Sequence, residues 1–166
     1  MAEIRSIGLE SIKLGEIPVD GTMSTVLAVL GLTYQDSADL VEGDAQSQEI
    51  FSEELDDPIE ILETKGVKTL KWSIMDFTPD VLAEVLGGTV TGVSPDKVWD
   101  APDETVNIER SVEIITKRGV KIEIPRAKIS AKLNMPFRKR GILLVDITAR
   151  VLKPNSAVAP LSISKV

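Results

Sequence analysis

Apolar and polar residues alternate along most of this chain, the pattern of strands with one face buried and the other wet. Ile59 and Ile61 flank Glu60, and after Thr64-Lys65-Gly66 the residues Leu70, Trp72 and Ile74 alternate with Lys71 and Ser73. This spacing predicts a hairpin turning at Gly66, a residue suited to positive φ. A second hairpin is expected from Ile108 to Lys117, turning at Arg118-Gly119 and returning through Val120, Ile122 and Ile124. Pro125 interrupts the return as a bulge or an edge would. Alternation resumes over Ala127–Leu133 and is cleanest in the last strand, where Leu143, Val145, Ile147, Ala149 and Val151 share a face.

One segment breaks the period of two. Thr78 suits an N-cap, Pro79 the first helical position and Asp80 the positive end of the dipole. Val81, Leu82, Val85 and Leu86 follow at helical spacing, and Gly87-Gly88 supplies the stop. A short amphipathic helix from about Pro79 to Leu86 is therefore predicted, covering an open end or one face of a sheet. Two stretches read as loops: the acidic segment Gln35–Asp57, and Gly92–Glu104 with Trp99 as its anchor. Residues Pro154–Val166 read as an extended C-terminal arm. The expected architecture is mainly β, an antiparallel β-sandwich or barrel with one flanking α-helix, in a single domain of 166 residues.

Composition narrows the chemistry. The chain contains no histidine and no cysteine. Ser-His-Asp and Cys-His nucleophilic sites cannot be built within one such chain, and the commonest zinc ligand is missing. No disulfide framework is available, which fits cytoplasmic synthesis. The N-terminus lacks the layout of a secretory signal, and no apolar run approaches the ~20 residues of a membrane-spanning helix. Asp36, Asp39, Glu42 and Asp44 do not follow the spacing of a calcium loop. Glu53-Glu54 and Asp56-Asp57 are adjacent pairs, which strand geometry would send to opposite faces.

The charge is polarised along the chain. Between Lys13 and Lys65 there is no Lys or Arg, while acids recur from Glu16 to Glu63. From Lys117 to Arg140 the sign reverses, with Glu123 as the sole acid. A net charge of -7 opposes general affinity for nucleic acid. The segment Arg126–Arg140 is nevertheless a candidate basic strand face, with Phe137 able to stack a base. Two readings of this polarity compete: solvated surfaces of opposite sign, or complementary contacts between copies of the chain.

The order of elements resembles phage tail tube proteins. Leu30-Gly31-Leu32-Thr33-Tyr34 opens the similar run, followed by the acidic segment, Asp57-Pro58-Ile59-Glu60-Ile61, Phe77-Thr78-Pro79 and Val81–Gly88. Val120–Ile129 and the last strand ending near Leu152-Lys153-Pro154 continue it. The contractile-tail inner tube and the type VI secretion tube share this fold.

The resemblance implies a non-enzymatic virion protein, made in the bacterial host cytoplasm, that needs no cofactor and builds stacked hexameric rings. Their acidic lumen would pass DNA without specific binding. Further partners would be the tape measure, tail terminator and distal tail proteins, with no membrane anchor. The inter-ring loop candidates are then Asp36, Asp39, Glu42, Asp44, Glu49, Glu53, Glu54, Asp56 and Asp57. The complementary basic candidates are Arg118, Arg138, Lys139 and Arg140. Alternatives of a different class are a small-ligand β-barrel and a carboxylate enzyme acting on polysaccharide.

Overall fold

A computed structural model describes residues 3–166. The body is built on β1 (Ser11–Gly15), β2 (Ala28–Val29), β3 (Asp39–Glu42), β6 (Lys68–Ile74), β9 (Ile108–Ile115), β10 (Val120–Asn134), β11 (Leu144–Val151) and β12 (Ser162–Lys165). These form one antiparallel eight-stranded sheet in the order β2-β1-β9-β10-β11-β6-β3, with β12 also on β10. The expected antiparallel sandwich with one flanking helix is what the chain forms.

The sheet can fold over itself because β10 changes direction. It runs for 15 residues and shifts register against β9 between Ile124 and Ala127, at Pro125. A proline cannot donate to the ladder, so the strand bulges and bends there. Before the bulge the second edge of β10 pairs with β12, and after it with β11. Ser111 stabilises the bend, its buried hydroxyl donating to the Pro125 carbonyl and accepting from the backbone N–H of Ser24. Leu14, Trp72, Ile74, Val112, Ile124, Ile129, Val145 and Ile147 fill the resulting core. Fully burying such side chains contributes about 1.5–3 kcal/mol each relative to exposure.

The β9–β10 turn uses Gly119 at φ 74, with its N–H bonded to the Thr116 carbonyl. The helix α1 (Pro79–Leu86) has the expected ends. The Thr78 hydroxyl accepts from the Val81 N–H, and the Gly87 N–H bonds to the Ala83 carbonyl. Leu82 and Val85 carry its contact with the core. Trp99 anchors the following segment, its indole N–H donating to the Gly87 carbonyl at 2.8 Å. Of the loop predicted over Gly92–Glu104, only β8 (Val98–Asp100) is strand, pairing with β7 (Thr89–Thr91) as a small hairpin, and the rest is irregular.

Two further expectations are corrected. Gly66 is no hairpin turn: β5 (Glu60–Thr64) pairs with β4 (Gln46–Ile50), while β6 pairs with β3 and β11. The acidic segment Gln35–Asp57 is not loop throughout: it contains the strands β3 and β4, joined and followed by irregular chain. Its polar residues fail to alternate with apolar ones because nothing among the described residues covers either face, and every β4 and β5 residue is exposed. The arm beyond Pro154 runs through bends at residues 155–158 and 160 and then returns to the sheet as β12.

Candidate functional site

The acidic segment forms a single long hairpin. Asp39 faces Lys71, Glu42 faces Lys68, Gln46 faces Thr64 and Ile50 faces Glu60. Each step along one strand is matched by one step back along the other. The ribbon thus keeps one register through the break between β3–β6 and β4–β5, where the Gly43 N–H bonds to the Val67 carbonyl. From Gly43 to Phe51 it extends roughly 25 Å beyond the body at the usual rise per residue. Its tip is the turn Glu53-Glu54 and the bend Asp56-Asp57. The pairs predicted to diverge along a strand therefore sit together at the outer end.

This hairpin is amphiphilic as well as acidic. Phe51, Leu55, Ile59, Ile61 and Leu62 are all exposed among the carboxylates. An isolated two-stranded ribbon is marginal in water, and an exposed apolar edge of this length invites pairing with another chain. The apolar share of this surface was legible only as stray hydrophobic residues in an acidic run. Glu42 lies at the root, paired with Lys68 at 3.1 Å, and Asp44 just beyond it. Asp36 and Asp39 stand apart. They flank the far end of β3, and Asp36 occupies a turn at φ 59. Of the acidic candidates, Asp44, Glu49, Glu53, Glu54, Asp56 and Asp57 lie on the projecting part of the hairpin, Asp44 at its base.

The basic candidates also separate. Arg138-Lys139-Arg140 lie in the loop joining the end of β10 to the start of β11. All three are exposed, and Phe137 beside them is 87% exposed. The start of β11 is held against the end of β6, Val145 facing Ile74, whereas the hairpin leaves from the beginning of β6. Basic loop and acidic hairpin therefore project from opposite ends of one sheet. Arg118 lies at the β9–β10 turn, at the other end of β10, and contributes nothing to the 138–140 patch.

The wider basic segment does not act as one surface either. Arg126 is engaged internally, with Nε and Nη2 donating to the two Glu109 carboxylate oxygens at 2.8 and 3.0 Å. Its Nη1 donates to the Lys153 carbonyl and Asn155 Oδ1. This forked pair holds the Glu109 carboxyl below its ordinary range, chiefly through the Arg126 hydrogen bond. It ties the bulge of β10 to the start of the C-terminal arm. Lys128 and Lys132 face outward on β10, with Lys128 directly opposite Arg150 on β11.

Two clefts remain. One of about 730 Å³ opens between the β3 side and the β1–β9–β10 side of the sheet, with Ile12, Leu40, Leu70 and Ile114 among its apolar walls and Asp36, Asp39 and Lys117 among its charged ones. The other, about 600 Å³, lies between residues 14–28 and Glu84 of α1. Burial pushes the Glu84 carboxyl up; Arg110 opposes the shift and Glu16 adds to it. Among the described residues, no group of three or more acidic side chains is arranged to hold a metal ion, and no helix is long and apolar enough to cross a membrane.

No protein-family model and no curated protein sequence matches this chain.

Proposed function

We propose that this chain is a structural, non-enzymatic subunit that assembles with itself into stacked rings, forming the tail tube of a long-tailed phage through which DNA is ejected. The observation that carries the proposal is the opposition of charge along one sheet. An acidic, apolar-flecked hairpin leaves one end, and a basic loop with an exposed phenylalanine leaves the other. Copies stacked head to tail bring Glu53, Glu54, Asp56 and Asp57 of one to Arg138, Lys139 and Arg140 of the next. Phe137 then meets Phe51, Leu55 and Ile59. Such a contact is heterologous, so it propagates along an axis instead of closing into a dimer. Charge sets register and association rate, while the apolar residues supply most of the affinity.

Around the ring, the short exposed strand β2 and the outer edge of β3 supply open backbone for neighbours to continue. Hexameric rings, a lumen that DNA crosses without specific binding, and capping by tape measure, terminator and distal tail proteins complete the proposal. An inner tube of a contractile or type VI system would use the same contacts. Sedimentation velocity across protein concentration and salt tests the reading. Self-association that weakens as salt rises supports it, since exposed charges are screened. A monomer at every concentration and salt contradicts it.

The 730 Å³ cleft is the specific observation behind a second reading, that of a small-ligand β-barrel. An apolar fluorescent probe that binds stoichiometrically and is lost on Leu40→Glu would favour that reading. Absence of binding would remove it.

A further inference from the structure

We propose that β12 is an exchangeable strand, which leaves the β10 edge of its own chain and pairs with the same edge of a second copy. The observation is a strand held by main chain alone. Ser162, Ile163, Ser164 and Lys165 are all exposed, and even Ile163 is 56% exposed. Their pairing runs from Glu123–Ser162 to Val120–Lys165 and ends with the Val166 N–H on the Gly119 carbonyl. Only Leu161 at its start packs against the core.

The segment before it divides sharply. Pro154 is buried, Asn155 accepts from Arg126, and Ser156 donates to the Gly21 carbonyl, so the arm is pinned to its own body up to Ser156. Ala157, Val158, Ala159 and Pro160 are then exposed without exception. This link carries no hydrogen bond to the body among the described residues. Fully extended, it carries Leu161 up to roughly 17 Å from Ser156, enough to reach an adjacent copy.

The exchanged strand makes the same hydrogen bonds on the second copy that it made on the first. The transfer therefore costs only the ordering of the link and the association itself, the usual low-cost route by which protomers trade identical elements. The apolar row explains why an edge is kept ready. Ile12, Ile114, Ile122 and Ile163 face one another in sequence across β1, β9, β10 and β12. Burial falls along this row from Ile12 to Ile163, so its β12 end is the part that a neighbour can cover. The exchange stands on these features alone and does not require tube geometry.

The absence of cysteine makes the test clean. Ile122 and Ile163 face each other as a non-hydrogen-bonded pair, a spacing that admits a disulfide. Ile122→Cys and Ile163→Cys are prepared as separate proteins, unfolded in urea, mixed, refolded together at high concentration and oxidised. Exchange is expected to give a mixed disulfide dimer as the main cross-linked product, lost on reduction and much weaker in either variant alone. Lys121→Cys with Ser164→Cys repeats the test at a pair that fills no part of the core. Absence of the mixed dimer in both pairs, with the corresponding double variants closing only within one chain, overturns the proposal. Electron microscopy of the same samples separates the two readings. Tubes without the cross-link reject exchange alone, and cross-linked dimers without tubes reject the tube alone.

Discussion

Gly66 lies against Gly43 so closely that a Cβ placed on Gly66 would fall 1.8 Å from the Gly43 carbonyl oxygen. The neighbouring atoms are backbone, which cannot rotate away. This is the point where the hairpin leaves the body, so the contact fixes the direction in which the acidic tip is presented. Gly66→Ala is expected to force the two strands apart, at a cost on the order of 1–3 kcal/mol by analogy with overpacking. A lowered thermal midpoint together with lost self-association is the expected outcome. An unchanged midpoint and normal assembly would show that the crossing is not a constraint.

Reversing the basic loop tests the stacking contact separately from the fold. Arg138→Glu with Lys139→Glu changes only exposed side chains, so stability should stay within about 0.5 kcal/mol of the parent. Self-association measured by sedimentation should disappear. Mixing this variant with Glu53→Lys, Glu54→Lys protein should restore a hetero-contact. Failure of that rescue would mean that the loop acts on some other surface.

The β10 bend offers a stability prediction that is independent of assembly. Ser111 is fully buried and serves both the Pro125 carbonyl and the Ser24 N–H. Ser111→Ala leaves both groups unpaired, and about 1–3 kcal/mol should be lost. For a domain of this size that is a fall of roughly 2–4 °C in Tm per kcal/mol, readable by calorimetry.

Two glutamates should give pH effects of opposite sign. Glu84 is raised above its ordinary value by burial, so the folded state holds its proton where the unfolded state has lost it. Its contribution is present in acid and is lost as pH rises through the raised value. Glu84→Gln should therefore raise Tm at neutral pH, with the gain vanishing below the ordinary carboxylate range. Glu109 is depressed by Arg126, and its contribution is lost as pH falls through the depressed value. Glu109→Gln should lower Tm at neutral pH, and the deficit should close in strong acid. Melting curves of both variants across pH check the two signs together.

Helix α1 could be read from the sequence because its signals are local: Thr78 caps its own turn and Gly87-Gly88 ends it. The β9–β10 turn and the Pro125 bulge were legible for the same reason. Of the acidic hairpin, the alternation of Ile59 and Ile61 marks the returning strand, but the outgoing strand reads as loop because sequence alternation reports burial within one chain, and Gln46–Ile50 buries nothing there. Gly66 looked like a turn because a glycine needed for close approach and one needed for positive φ are the same letter. β12 was hidden because its alternation, Leu161 and Ile163 against Ser162 and Ser164, is too short a run to stand out after the irregular stretch from Pro154 to Pro160. The charge polarity of the candidate site was visible from the start. Its division between opposite ends of one sheet, and the loss of Arg118 and Arg126 from the basic surface, depended on long-range register that no local pattern encodes.

The most direct test of the central claim is negative-stain electron microscopy of the purified protein over a range of concentration and salt. Rings or hollow tubes, with six-fold symmetry in end views, are the expected result. Particles that remain single subunits under every condition would contradict it.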